Sequence, residues 1–167
     1  EPDPVAAFRE LDEIRTDRLA SHEKAEIFNL YAYGHYLNDN IPQALNYYVQ
    51  TISEEGANGP LVERNLKTIA QLSQLQEDFQ TALQYNQNWA CVRASKAGVD
   101  VLEVLTARDY SEFANIYYRL DDLPGALAYI EAAINLEEAA GNIGNENWYS
   151  MQRSLYYQQE DIPSVIR

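Results

Sequence analysis

Apolar positions recur at spacings of three and four along almost the whole chain, in blocks separated by short polar punctuation. Val5, Phe8, Leu11, Ile14 and Leu19 form the first stripe, which predicts an opening helix within residues 1–20 that starts at Asp3-Pro4. Ile27, Phe28, Tyr31, Ala32 and His35 share one face of a helix over 22–39, and its partner runs through Ala44, Tyr48 and Thr51 to about residue 54. The pattern returns over 60–76 and 78–93, with Leu66, Ile69, Ala70, Ala82 and Trp89 inward. It returns again over 101–120 and 122–140, with Phe113, Ala114, Tyr117, Ala126, Ile130 and Ala133 inward. Residues 56–60 read as a plain loop, and Gly141-Asn142-Ile143-Gly144-Asn145 separates off a last helix at 146–159. The expected organisation is a single all-α domain over 1–167. It holds the opening helix, hairpins over 22–54, 60–93 and 101–140, and a fourth hairpin over 146–167 that stops early.

One phrase punctuates this pattern. Asn40-Ile41-Pro42-Gln43-Ala44-Leu45 returns as Asp78-Phe79-Gln80-Thr81-Ala82-Leu83, as Asp122-Leu123-Pro124-Gly125-Ala126-Leu127, and as Asp161-Ile162-Pro163-Ser164-Val165-Ile166. Counted on the fifth residue, the spacings are 38, 44 and 39. Each copy reads as the start of a second helix. Asn or Asp at the N-cap accepts an orphan backbone N–H, and Pro in the first turn loses no internal hydrogen bond. Self-similarity at this period marks a helical repeat array, in which each unit buries its apolar face against its neighbours. An array that ends at Arg167, about two turns into a helix, leaves Val165 and Ile166 uncovered, so a longer protein is expected.

Small residues stand 12 apart across each hairpin, as Ala32 with Ala44, Ala70 with Ala82 and Ala114 with Ala126, and Thr51, Trp89 and Ala133 follow 7 further on. In these positions the chain resembles the tetratricopeptide repeat over residues 22–167, although its periods exceed the usual length of about 34 residues. Trp89 and Arg153 also stand where that repeat has small residues. The resemblance implies a right-handed superhelical solenoid of hairpins whose first helices line a concave groove. A narrower resemblance rests on the run from Ala126 to Glu137, then Gly141, then Glu146-Asn147-Trp148-Tyr149-Ser150-Met151 and Leu155-Tyr156-Tyr157. This part is similar to exported tetratricopeptide proteins of Gram-negative bacteria that accompany TonB-type energy-transduction systems. It implies a periplasmic location and an accessory role in outer-membrane transport, with a cytoplasmic location as the alternative. The opening Glu1-Pro2-Asp3-Pro4, without Met, agrees with an export signal already removed.

Composition narrows the function further. A net charge of −14 argues against nucleic acid as a partner, because phosphate contacts need clustered Lys and Arg. The chain has no apolar run of about 18 residues, so no membrane-spanning helix is expected. His22 and His35 stand 13 apart, a spacing that does not bring two ligands onto adjacent turns, and no metal or cofactor is expected. Cys91 follows Trp89 on a helix without a base nearby in sequence, and reads as a buried structural thiol. Glu54-Glu55, Asp121-Asp122 and Glu137-Glu138 are sequence neighbours that diverge by about 100° on a helix, so they read as solvated helix ends rather than shared acids. With no phosphate loop or nucleophile elbow either, no enzymatic activity is expected.

The 13 tyrosines bear on binding. Tyr31, Tyr48 and Tyr117 fall on core positions, whereas Tyr33, Tyr36, Tyr118 and Tyr157 fall on the face that lines the groove in tetratricopeptide arrays. The same face carries Asn29, Arg64, Lys67, Gln71, Gln74, Arg108, Asn115, Arg119 and Asn147, so 4 of the 12 basic residues converge there. Two readings stand open: long polar side chains that solvate a helix face, or a groove for an extended protein segment whose carboxylates meet Arg and Lys. The set does not reproduce the carboxylate-clamp pattern of chaperone-binding members of that family. Self-association through the exposed ends of the array, or a small ligand held in the groove, are the alternatives.

Overall fold

The computed structural model describes residues 11, 14 and 16–159, and among these every regular element is helical. The chain divides into two compact units, residues 1–89 and 90–167. In the first unit, a short 3-10 helix at Thr16–Arg18 precedes α1 (Ser21–Leu37), α2 (Ile41–Ser53) and α3 (Gly59–Leu75). Helix α4 (Phe79–Ala97) carries the chain over the boundary. The second unit continues with a 3-10 helix at Val101–Val104, then α5 (Ala107–Arg119), α6 (Leu123–Ala139) and α7 (Glu146–Gln158). Most of the expected opening helix, and the fourth copy of the repeated phrase, lie outside the described residues.

The three described copies of the phrase start helices as expected. Asn40 accepts from the Gln43 N–H at 3.4 Å, Asp78 from Thr81 at 3.1 Å and Asp122 from Gly125 at 2.9 Å. The turn before each is also the same. Asn40 N donates to His35 O at 2.9 Å, Asp78 N to Ser73 O at 2.9 Å and Asp122 N to Tyr117 O at 3.0 Å, so each first helix closes in a Schellman motif. That motif needs one left-handed residue, supplied here by Asp39 (φ 58°), Glu77 (φ 58°) and Asp121 (φ 62°). A side chain in that region costs about 1 kcal/mol, partly offset when glycine replaces it because the unfolded chain gains freedom. Replacing all three by glycine is therefore expected to stabilise the protein by about 1–2 kcal/mol, Glu77 contributing most because Asp tolerates the left-handed region better. Urea denaturation of the single and triple variants measures it, and an unchanged midpoint contradicts it.

Each unit has its own core. In the first, α1 folds back on α2 and α3 packs on α2, around Ala32, Ile41, Ala44, Tyr48, Ile69 and Leu72. In the second, α5 folds back on α6 and α7 packs on α6, around Ala114, Ala126, Ile130, Ile134 and Leu155. All six alanines spaced 12 apart are fully buried, as a close approach of paired helices requires. A ring stack backs the α1–α2 and α5–α6 hairpins. Tyr47 lies 5.0 Å from Tyr31 and 5.4 Å from His35, and Tyr129 lies 5.2 Å from Phe113 and 5.1 Å from Tyr117. Burial, reinforced by Tyr117, pushes the Tyr129 hydroxyl up to about 12, so it stays protonated. The repeat between them has Ser73 at the position of His35 and Tyr117, buried and with no partner for its hydroxyl.

Three sequence expectations are corrected. The helix expected from residue 101 is instead a 3-10 turn capped by Asp100, and α5 begins afresh at a capping box. There the Thr106 hydroxyl and N–H both donate to the Asp109 carboxylate, at 2.7 and 3.0 Å. The plain loop at 56–60 contains a helix start, since Asn58 accepts from the Leu61 N–H at 2.9 Å and Pro60 occupies the first turn of α3. Cys91 is exposed rather than buried, because Ala90 and Ala94 hold the inward face of α4 and the thiol projects about 100° from Ala90.

Candidate functional site

The first unit holds a hollow of about 430 Å3. Helix α1 contributes Asn29, Tyr33 and Tyr36, and α3 contributes Arg64, Asn65, Thr68, Gln71 and Leu72. Tyr48 of α2 forms its floor. The spacing 29, 33, 36 places the α1 residues along one stripe, and 64, 68, 71 does the same on α3. A hydrogen bond from Asn65 Nδ2 to Asn29 Oδ1 at 3.0 Å ties the two helices beneath that stripe. The Tyr33 and Tyr36 rings stand 6.5 Å apart and are about half exposed.

Arg64 supplies the positive charge. Its guanidinium makes no hydrogen bond or ion pair among the described residues, and it also borders an adjoining hollow with Glu63, Lys67 and Trp89. Burial raises the Tyr48 hydroxyl above the ordinary tyrosine range; Tyr36 and Tyr33 add to the rise, while Arg64 opposes it. At neutral pH the floor therefore presents a neutral O–H donor beside a cation. Lys67 is engaged otherwise: its Nζ donates to the buried Asn86 Oδ1 at 3.1 Å and lies 4.0 Å from the centre of the Trp89 ring.

The second unit holds a hollow of about 480 Å3. Asn115 and Tyr118 of α5 face Asn147, Trp148, Met151 and Ser154 of α7 across it, with Asn145 at its rim. Of the sequence-predicted residues, Asn29, Tyr33, Tyr36, Arg64 and Gln71 meet in the first hollow, and Asn115 and Tyr118, with Asn147, in the second. Arg108, Arg119 and Tyr157 are exposed and line neither. Sequence reasoning missed Tyr48 and Asn65 as lining residues. Asn65 carried a signal, since it stands four residues from both Leu61 and Ile69 on a buried face where a polar side chain needs a reason.

Among the described residues no cluster of three His, Cys, Asp or Glu side chains is placed to hold a metal, and no helix is long and apolar enough to cross a membrane. The hairpins, their caps and their buried alanine pairs define a repeat fold of the tetratricopeptide type. Solved structures bear this out. The chain is similar to BtubC (BKLC) from P. vanneervenii, at 15% identity and a TM-score of 0.63 over 97% of this chain and 66% of that one. It is similar to the apo form of RapI, at 13% identity and a TM-score of 0.68, over 97% of this chain and 45% of that one. It is also similar to a putative kinesin light chain of Podosopora anserina with nearly identical TPR-like repeats, at 13% identity and a TM-score of 0.65, over 97% of this chain and 82% of that one. At these identities the likeness concerns the fold. No protein-family model matches the chain and no curated protein does, so the narrower resemblance to exported TonB-associated proteins has no support among them.

Proposed function

We propose that this protein is an interaction module that holds an extended segment of a partner protein, and that the Arg64 hollow is where the segment is read. One observation carries this reading: an uncommitted guanidinium stands among three tyrosines in a chain of net charge −14. Guanidinium recognises a carboxylate through two parallel hydrogen bonds. Tyr33 and Tyr36 offer large, partly exposed rings that lose little entropy on contact. With a single cation, and a surrounding field that repels anions, the hollow suits an isolated Asp or Glu flanked by apolar residues better than an acidic tract.

Panning a random peptide library on the purified chain tests this. The selected peptides are expected to carry one acidic residue and to bind Arg64→Glu at least about tenfold more weakly, equivalent to about 1.4 kcal/mol. Arg64 is exposed, so the variant should keep the parent's unfolding midpoint. Selected peptides that bind Arg64→Glu and Tyr36→Ala as tightly as the parent would sink the reading. A periplasmic setting beside an outer-membrane transport system remains part of the proposal on the strength of the Ala126–Tyr157 resemblance alone, and the full gene, read for a signal sequence, tests it.

A further inference from the structure

The hollow of the second unit has different chemistry. We propose that it is a separate binding site for a neutral, hydroxyl-rich ligand, namely an uncharged oligosaccharide. Among the described residues, no Lys, Arg, Asp or Glu lines this hollow, in a chain that carries 12 basic and 26 acidic residues. A charged ligand entering it would lose hydration and meet no countercharge. Neutral donors and acceptors are present instead, and several are uncommitted. Asn115 donates its amide to Ser111 O at 3.0 Å, which leaves its Oδ1 free to accept. Asn145 Oδ1 accepts from the Asn147 N–H at 2.9 Å, which leaves its amide free to donate. The Asn147 side chain, the Tyr118 hydroxyl and the Trp148 indole N–H have no hydrogen-bond partner among the described residues.

A set of this kind, with donors and acceptors interleaved and no charge, matches sugar hydroxyls, each of which both donates and accepts. Tyr118 and Trp148 add aromatic surface, a wall suited to the C–H face of a pyranose ring. The volume of about 480 Å3 falls in the range of sites for compact ligands. The inference is independent of the peptide reading, which rests on the other unit.

The experiment is a ¹H–¹⁵N NMR titration of the full chain with maltotriose, cellotriose and N,N′-diacetylchitobiose. At least one is expected to move the Asn147 side-chain amide and the Trp148 indole signal in a saturable way. Asn147→Ala and Tyr118→Ala should each weaken it at least about tenfold. Both side chains are exposed, so these variants should keep the parent spectrum elsewhere. Binding should also be insensitive to salt, changing less than about twofold as the Debye length falls from above 10 Å to a few ångströms. The proposal is overturned if none of the three sugars shifts these signals, if binding survives both substitutions, or if the shifts fall on Arg64 and Tyr36 instead. It is equally overturned if a neutral tripeptide such as Gly-Ser-Gly occupies the hollow more tightly than every sugar.

Discussion

Ile130→Ala is expected to cost about 2–5 kcal/mol, a large share of the stability of a chain of this size. Ile130 is fully buried near the middle of α6, in a cluster with Ala114 of α5, Ala126 and Ile134 of α6 and Leu155 of α7. Truncation removes three carbons whose neighbours come from three helices. Ala114 and Ala126 are already at the smallest size that leaves a side chain, so they cannot swell into the gap. The Tyr129 stack behind the helix is held by rings 5.1 and 5.2 Å away, which limits collapse from that side. Poor relaxation places the cost toward the upper half of the range, because the cavity term adds to the lost transfer energy. At about 2–4 °C per kcal/mol, a cost of about 3.5–5 kcal/mol should lower the melting temperature by roughly 7–20 °C. Urea denaturation followed by far-ultraviolet circular dichroism measures the loss. A change below about 1 kcal/mol would mean that this cluster is not the core of the second unit.

Much of this fold was legible because its signals are local. Asn40, Asp78 and Asp122 announce helix starts within three residues of the N–H groups they cap, and the alanine pairs mark where two helices in one hairpin must touch. The break before α5 was misread, because two signals conflict there. The apolar residues Val101, Leu102, Val104 and Leu105 continue a helix-like stripe, while Thr106 with Asp109 is a capping box that ends it, and the cap prevails. The site was less legible, because its partnerships are not local. Lys67 reads from sequence as one more groove cation; the residue that engages it, Asn86, lies 19 positions away on another helix. Tyr48 reads as a core residue and is one, at 5% exposure, but its small exposed part is the floor of the hollow. Fractional burial is a property of the packed helices, and no period in the sequence encodes it.

Gly56→Ala is expected to cost about 3 kcal/mol, although the position lies in a connection outside any helix. A Cβ at Gly56 would stand 2.3 Å from the His22 backbone nitrogen, 2.8 Å from the Ser21 carbonyl carbon and 2.9 Å from the His22 Cα. These are backbone atoms in the first turn of α1, so no side chain can rotate out of the way. Either the connection between α2 and α3 or the start of α1 must move. Movement there also breaks a hydrogen-bonded chain: the Gly56 N–H donates to Ser21 Oγ at 3.0 Å, and the Ser21 hydroxyl donates to Glu54 Oε2 at 2.8 Å. Steric strain and the loss of that chain, at about 1 kcal/mol per bond, together make up the cost of about 3 kcal/mol. Gly59→Ala is the control, because a Cβ there meets nothing within 4 Å and the residue opens a helix, where Ala is favoured over Gly. It should be neutral or stabilise by up to about 0.5 kcal/mol. Calorimetry of the two variants should place Gly56→Ala roughly 6–12 °C below the parent and Gly59→Ala at or slightly above it. Faster hydrogen exchange at the amides of residues 22–25 should accompany the first change, since the strain enters the helix at its start. Equal melting temperatures for the two variants would show that the connection relaxes freely, and that α1 is not clamped at Gly56.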